Sequence, residues 1–311
     1  MREHIYIRLA ESSGYISGEA LSESLGITRA ALWKHVKAMQ ADGAVINSVT
    51  NRGYQLVSPP QVPRVEYVRA HLTHAVPVFY EASVTSTNDT ARAAAQKLPV
   101  GVFIAGEQTA GKGRKGRTWV SAPGNGVYMS FLVRPKTEPS EVAGLTLAAA
   151  MSLCHAIEST ADVQTRIKWP NDVLIGNKKA AGILTESMLH MDGVDFVVCG
   201  IGVNTCARFE GELAGIACGV PANGTLLAAA MIDRFFDAFD LFEKHGLAPF
   251  MPEFRQRSAL SGTVTVSSSG GSETGTLLGF DDNGALLLNH DGQTRRFVAG
   301  EVTLRGENGY V

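Results

Sequence analysis

Apolar and polar positions change their period twice along the 311-residue chain, and the changes mark three regions. In the first, Leu32, Val36 and Met39 recur at helical spacing and predict a helix over Arg29–Ala41. A shorter helix over Ser17–Leu25 carries Ala20, Leu21 and Leu25 as its apolar positions. Gly26-Ile27-Thr28 makes a tight turn between the two, and Thr28 suits the cap of the second helix. Ala44–Val49 and Tyr54–Val57 flank Thr50-Asn51-Arg52-Gly53 and predict a hairpin. Ser58-Pro59-Pro60-Gln61-Val62-Pro63 then interrupts regular structure and reads as a linker. From 64 to 256, apolar runs of strand length alternate with helical runs at Asn88–Lys97, Glu141–Ser159 and Thr225–Glu243, the pattern of an α/β domain. From 257 to 311 the strands are short: Thr263–Ser267, Thr274–Phe280, Ala285–Asn289, Arg295–Val298 and Glu301–Arg305. Gly270-Gly271, Asp282-Asn283-Gly284 and Asp291-Gly292 join them, which predicts a small all-β barrel. The expected domains are 1–60, 64–256 and 257–311.

Composition narrows the class. The chain is 45% apolar and 19% charged, with a net charge of −2, as for a soluble globular protein. No apolar run reaches the length of a membrane span, and the first residues lack the apolar core of a signal peptide. Cys154, Cys199, Cys206 and Cys218 show no CxxC spacing and sit in apolar surroundings. They read as buried free thiols of a cytoplasmic protein, not as zinc ligands or a disulfide framework. The eight histidines are scattered and form no HExxH pair.

Charge changes the reading of the first region. Arg29, Trp33, Lys34 and Lys37 cluster on one side of the second helix, and no acidic residue lies between Glu23 and Asp42. Helix, glycine turn, basic helix and hairpin, in that order, form a helix-turn-helix with a wing whose tip carries Arg52. The competing reading is a small packing domain with an ordinary solvated basic face. Residues 1–58 hold six basic and five acidic side chains, so bulk electrostatics alone do not decide for DNA.

Candidate chemistry concentrates in the middle region. Ala110–Trp119 reads AGKGRKGRTW and contains Gly111, Gly113 and Gly116 with Lys112, Arg114, Lys115 and Arg117. The literal G-x-G-x-x-G is not a dinucleotide fingerprint, because a strand (Val127–Val133) follows it where a helix should open. No G-x-x-x-x-G-K-[ST] occurs either. The segment is a strand-to-strand loop rich in backbone N–H groups and cations, suited to an anion. Taken singly, its neighbours have bland readings. Ser86 or Thr87 is a helix cap, Gln108 a turn residue, Asn171-Asp172 a turn, and Lys179 a solvated turn lysine.

In order, however, the motifs are specific. Ser86-Thr87-Asn88, Gln108, G-K-G-R-x-G-R-x-W, Lys168-Trp169-Pro170-Asn171-Asp172, Lys179-x-x-Gly182-Ile183-Leu184 and Gly200-Ile201-Gly202-Val203-Asn204 together resemble the biotin protein ligases. With the N-terminal and C-terminal regions, the resemblance spans the whole chain and is to the bifunctional ligase and biotin-operon-repressor kind. It implies an α/β (α+β) multidomain fold: an N-terminal winged helix-turn-helix, a central mixed-sheet α/β ligase domain and a C-terminal small SH3-like β-barrel.

The resemblance also implies roles. Gly111–Trp119 becomes a flexible lid over biotinyl-5′-AMP, contributing Gly111, Lys112, Gly113, Arg114, Arg117 and Trp119. Lys112 stands where many members have arginine, so the bidentate fork is lost there. Thr85 stands where a familiar pattern has aspartate. Ser86, Thr87, Asn88 and Gln108 fix biotin, while Asn171 and Asp172 lie near the nucleotide and its metal. Lys179 and Arg114 are catalytic, with Lys168, Gly182 and Asn204 around them, and Arg305 assists the nucleotide. Biotin, ATP and Mg2+ are the implied small molecules, the metal entering with ATP, near Asp172, without a dedicated protein cage. The implied partners are a biotin carboxyl carrier protein, operator DNA bound through Arg29, Trp33, Lys34, Lys37 and Arg52, and a second copy of the chain. The homodimer is promoted by biotinyl-5′-AMP through strand Ile183–Met191, and no membrane is involved. Both reactants of adenylation are anions, which accounts for the cations, and no enzyme nucleophile is required. Two alternatives are a lipoate-type ligase and a biotin-sensing transcription factor without catalysis.

Overall fold

The computed structural model describes residues 1–190, 193–205, 209, 216–268 and 270–304. Arg305 and Cys206 lie outside the described residues. The N-terminal unit comprises α1 (Arg2–Ala10), α2 (Gly18–Ser24), α3 (Arg29–Ala41), β1 (Val45–Val49) and β2 (Gly53–Ser58). Ser17 and Thr28 hydroxyls accept the Ala20 and Ala31 N–H groups, each at 3.1 Å, and so cap α2 and α3. Leu32, Val36 and Met39 of α3 pack with Ile5, Tyr6, Leu9 and Leu21 in a separate core. Arg29, Trp33, Lys34 and Lys37 are left exposed. Tyr54 exchanges backbone hydrogen bonds with Ile16 (2.8 and 2.9 Å), which fastens the hairpin beside the helices as a wing. Arg52 is exposed at the tip, but its guanidinium lies 4.2 Å from the Tyr15 ring centroid instead of extending freely.

The proline-rich linker is not a free tether. Asn223 Nδ2 donates to Pro59 O (3.0 Å), Thr225 Oγ1 to Pro60 O (2.6 Å) and Gln61 Nε2 to Ala222 O (3.1 Å). The linker leads into α4 (Val65–Val68), a short helix not anticipated from the pattern. Within it Tyr67 joins the N-terminal core and Val68 the central core.

The central unit contains β3 (Val78–Val84), α5 (Thr87–Ala94), β4 (Gly101–Gln108), β5 (Gly126–Val133), α6 (Val142–Thr160), β6 (Thr165–Lys168), β7 (Asp172–Ile175), β8 (Lys178–His190), β9 (Gly193–Asn204), α7 (Gly224–His245) and α8 (Met251–Arg257). Its seven-stranded sheet has the order β3-β4-β5-β9-β8-β7-β6. The sheet is mixed: β3 and β4 run parallel and every later neighbour antiparallel. β5 (GVYMSFLV) is buried almost throughout because both sheet faces are covered. The α6 and α7 residues Leu145, Met151, Ile232 and Phe235 pack in the main core, and Ala91 and Ala95 cover the other face with Phe103 and Val198.

Two expectations need correction. The helix spanning Pro139–Thr160 is long and apolar enough to cross a membrane by composition, but 72% of its most apolar window is buried in the core of the central unit. Cys154 and Cys199 are buried as expected, whereas Cys218 is only half-buried.

The C-terminal unit comprises β10 (Thr263–Ser268), β11 (Gly271–Phe280), β12 (Leu286–His290), β13 (Gln293–Phe297) and β14 (Glu301–Leu304). They form an antiparallel five-stranded sheet of order β13-β12-β11-β10-β14. This is the small antiparallel C-terminal domain expected, and among the described residues no ladder joins β13 to β14. The unit is pinned to the central one. Buried Trp169 donates its indole N–H to Gly284 O (3.0 Å), and Arg255 pairs with Asp282 (2.7 Å). Arg257 binds Glu158 and Glu253, each at 2.7 Å, and ties α8 to α6.

Candidate active site

The basic loop connects β4 to β5, as its sequence context requires. Gly113 N–H donates to Arg117 O (2.7 Å) and Trp119 N–H to Gly111 O (2.9 Å), so the loop folds back as a narrow flap. Lys115 (φ 56°) and Gly116 (φ 74°) take the left-handed conformations at its tip. Each cation meets a partner on another element: Lys112 Asp89 at 2.5 Å, Arg114 Asn171 and Gly300 O at 3.0 Å, Arg117 and Lys115 Glu301 at 2.9 and 3.6 Å. The flap therefore bridges α5, the Trp169–Asp172 turn and β14.

Under the flap lies a narrow cavity of about 60 Å³, lined by Ser86, Thr87, Asn88, Gln108, Lys112 and Gly182 among others. Ser86 begins α5 yet makes no capping hydrogen bond, and it is 2% exposed, so the bland cap reading is not what holds it there. Thr87 N–H donates to Gln108 Oε1 (2.9 Å), and Gln108 Nε2 donates to Ser121 Oγ (2.7 Å). Gly200 and Gly202 of β9 form the floor. A Cβ on Gly202 would stand 2.5 Å from Trp119 Nε1, so the indole rests directly on the bare backbone.

A wider cleft of about 740 Å³ adjoins this cavity and includes Arg117, Lys168, Asp172, Asn204 and Glu301. Gly113, Arg114, Trp119, Asn171 and Lys179 line both spaces, so they mark the junction. Lys179 is not in a turn. It lies on β8 at a register shift opposite β7, with Nζ 2.7 Å from Asp172 Oδ1 and 5.3 Å from the Trp119 ring centroid. Asp172 is 7% exposed and begins β7. Burial lowers the pKa of Lys168, a trend that nearby Asp172 opposes. Of the expected site residues, Gly111 is buried at the base of the flap against the Trp119 carbonyl and Ser121. Ser121, Ser130 and Glu186 were missed. Ser130 left a signal, as the lone serine within the apolar run Val127–Val133.

Three family descriptions match successive parts of the chain: an HTH domain over residues 2–55, the biotin/lipoate A/B protein ligase family over 79–204, and a biotin protein ligase C-terminal domain over 263–305. The bifunctional ligase/repressor BirA of Bacillus subtilis is 34% identical over 305 residues, covering 93% of this chain and 94% of that protein. The chain belongs to the bifunctional biotin ligase/repressor family. The Escherichia coli BirA is 30% identical over 312 residues, 96% of each chain. The structure of a biotin protein ligase from Aquifex aeolicus in complex with biotin and ATP matches with a TM-score of 0.63 at 25% identity. It covers 74% of this ligase and 99% of that chain.

Proposed function

We infer that this ligase activates biotin with ATP and transfers it to a protein lysine, and that its winged helix makes it a repressor as well. The observation that carries the catalytic reading is the junction: Lys179, Arg114, Asn171 and Trp119 stand where the narrow cavity meets the wide cleft. Biotin's bicyclic head occupies the cavity beside Ser86, Thr87, Asn88 and Gln108, and the nucleotide lies in the cleft. The biotin carboxylate and the ATP α-phosphate then meet at the junction. A carboxylate oxygen attacks the α-phosphorus, pyrophosphate leaves, and biotinyl-5′-AMP forms. Lys179 and Arg114 offset the repulsion between the two anions and stabilise the charge on the phosphoryl oxygens. The uncharged amine of a carrier-protein lysine next attacks the acyl carbon, and AMP leaves.

Among the described residues no cluster of three His, Cys, Asp or Glu side chains forms a metal cage. Asp172 and Glu301 both line the cleft, which fits a magnesium ion held mainly by the phosphates of ATP and completed by a carboxylate. When bound, such an ion would neutralise phosphate charge. Arg114, Arg117 and Lys112 exchange their present protein partners for the adenylate phosphate, and the flap acts as a lid. Arg305 adds to the nucleotide side, outside the described residues.

For repression, Arg29, Trp33, Lys34, Lys37 and Arg52 face operator DNA, and the functional divisions are 1–60, 64–256 and 257–311. Two copies pair through β8. Its partner β7 covers it as far as Gly182 and Asn171 holds the Ile183 backbone, so among the described residues no strand pairs with β8 on that side beyond Ile183, and biotinyl-5′-AMP favours the dimer. Met191, the last residue of the expected pairing stretch, lies outside the described residues. One experiment tests the catalytic reading: pyrophosphate release from ATP with biotin, compared with lipoate. Release with biotin alone is expected, and release with lipoate but not biotin overturns it.

A further inference from the structure

The polar wall of the narrow cavity has a direction that the wall residues alone do not fix. Glu186 of β8 is a carboxylate and only accepts hydrogen bonds. It receives Asn88 Nδ2 at 2.7 Å and Arg92 at 2.6 Å. The Asn88 amide is therefore turned with Oδ1 toward Ser130 Oγ, 2.6 Å away. Ser130 is fully buried in the middle of β5 and has a single proton, which goes to that amide oxygen.

Ser130 Oγ also lies 2.7 Å from Thr87 Oγ1. With its own proton committed to Asn88, Ser130 meets Thr87 as an acceptor and draws the threonine proton inward. Thr87 Oγ1 is 3.1 Å from Gln108 Oε1 as well, but that oxygen already accepts the Thr87 backbone N–H. The shorter contact, to Ser130, therefore decides where the hydroxyl proton points, and Thr87 turns lone pairs to the cavity. The Gln108 amide is oriented in the same manner. Its oxygen faces the Thr87 N–H, its nitrogen faces Ser121, and one amide proton remains for a ligand.

We propose that Ser130 and Glu186 are positioning residues that set the polarity of this wall, holding Thr87 as an acceptor so that the cavity selects a ring carrying N–H beside a carbonyl. A cyclic urea meets that demand, and a dithiolane does not. The proposal rests on the reading that biotin's head occupies the cavity. It adds what sorts biotin from a lipoate-like acyl chain of similar reach: buried groups behind the wall, not the wall residues by themselves.

The test is steady-state pyrophosphate release by the full chain. It uses biotin and an analogue whose ring N–H groups are replaced by oxygen. In Ser130→Ala the biotin KM rises about tenfold, the scale for misdirecting one buried hydrogen bond, while kcat and the ATP KM stay unchanged. The preference for biotin over the oxygen analogue falls by about the same factor, because the freed Thr87 proton can point to the analogue. Glu186→Gln shifts both quantities in the same direction. Ser130→Cys, with nearly the same shape, repeats the comparison should the alanine variant not fold. An unchanged preference in folded variants overturns the proposal, as does an equal rise in the ATP KM or a fall in kcat alone. Wild-type protein that releases no pyrophosphate with biotin defeats the ligase reading instead.

Discussion

Replacing Lys179 by methionine separates what its charge does for the reaction from what it does for the fold. Methionine keeps an apolar stem against Trp119 and removes the ammonium that sits 2.7 Å from Asp172. If that ammonium stabilises the phosphoryl oxygens, adenylation slows by roughly 10²–10³, the loss seen when one preorganised donor is removed. The fold suffers separately, because Asp172 is 7% exposed and loses a cation. Removing one partner of a fully buried ion pair costs about 3–5 kcal/mol; with the Lys179 side chain 20% exposed and Lys168 still near Asp172, about 2 kcal/mol is the appropriate scale. A second change, Asp172→Asn, removes the carboxylate charge that has lost its nearest cation and returns most of that stability, measured by urea unfolding. It does not restore the charge at the junction, so single-turnover pyrophosphate release at saturating biotin and ATP stays at least about 100-fold down. A Lys179→Met rate within threefold of wild type refutes the assignment. So does recovery of the rate in the double variant, which would make the lysine a prop for Asp172.

Three further outcomes follow from the geometry. Gly202→Ala puts a methyl 2.5 Å from Trp119 Nε1 and displaces the indole, so the variant should fold normally but release biotinyl-5′-AMP about tenfold faster; an unchanged dissociation rate would count against the lid. Burial raises the Glu158 pKa, but hydrogen bonds from Arg257 and Thr165 outweigh it and hold the group at about 2. Its stabilisation is complete above the ordinary carboxylate range and is lost as pH falls toward 2, so Arg257→Met should remove about 1–2 kcal/mol above pH 5 and flatten the acid dependence measured by urea unfolding; the same acid slope in both proteins would contradict this. Arg29→Ala and Lys37→Ala should each weaken DNA binding and lower its salt slope by about one, with biotin transfer intact; fluorescence anisotropy across a salt series decides, and unchanged affinity removes α3 from the interface.

The sequence made α3 legible to the residue, because apolar periodicity and the Thr28 cap agree there. It made the strand–flap–strand context legible for the same reason: turn glycines and alternating apolar runs are local signals. Taken alone, the sequence around Lys179 reads as a turn, whereas pairing with β7 draws it into a strand. The helix α4 carried no local signal at all. Its four residues are helical because Tyr67 and Val68 have two different cores to fill. Ser130 and Glu186 were invisible as a pair, since only the adjacency of β5, β9 and β8 with α5 brings them to Asn88 from either side. Arrangements that depend on non-local pairing leave no period to read.

Tyr67 and Val68 are neighbours in the chain, yet each belongs to a different core, and the linker before them is laced to the start of α7. Asp42, which ends α3, reinforces the joint through Arg2, Arg64 and the Tyr67 hydroxyl at 2.9, 2.8 and 2.7 Å. A helix-turn-helix on a slack tether can adjust to half-sites at several separations. Here the protein works as a fixed caliper. In the proposed dimer, the contact that brings two catalytic sheets together would also set the gap between the two α3 helices, and with it the operator length the pair can grip.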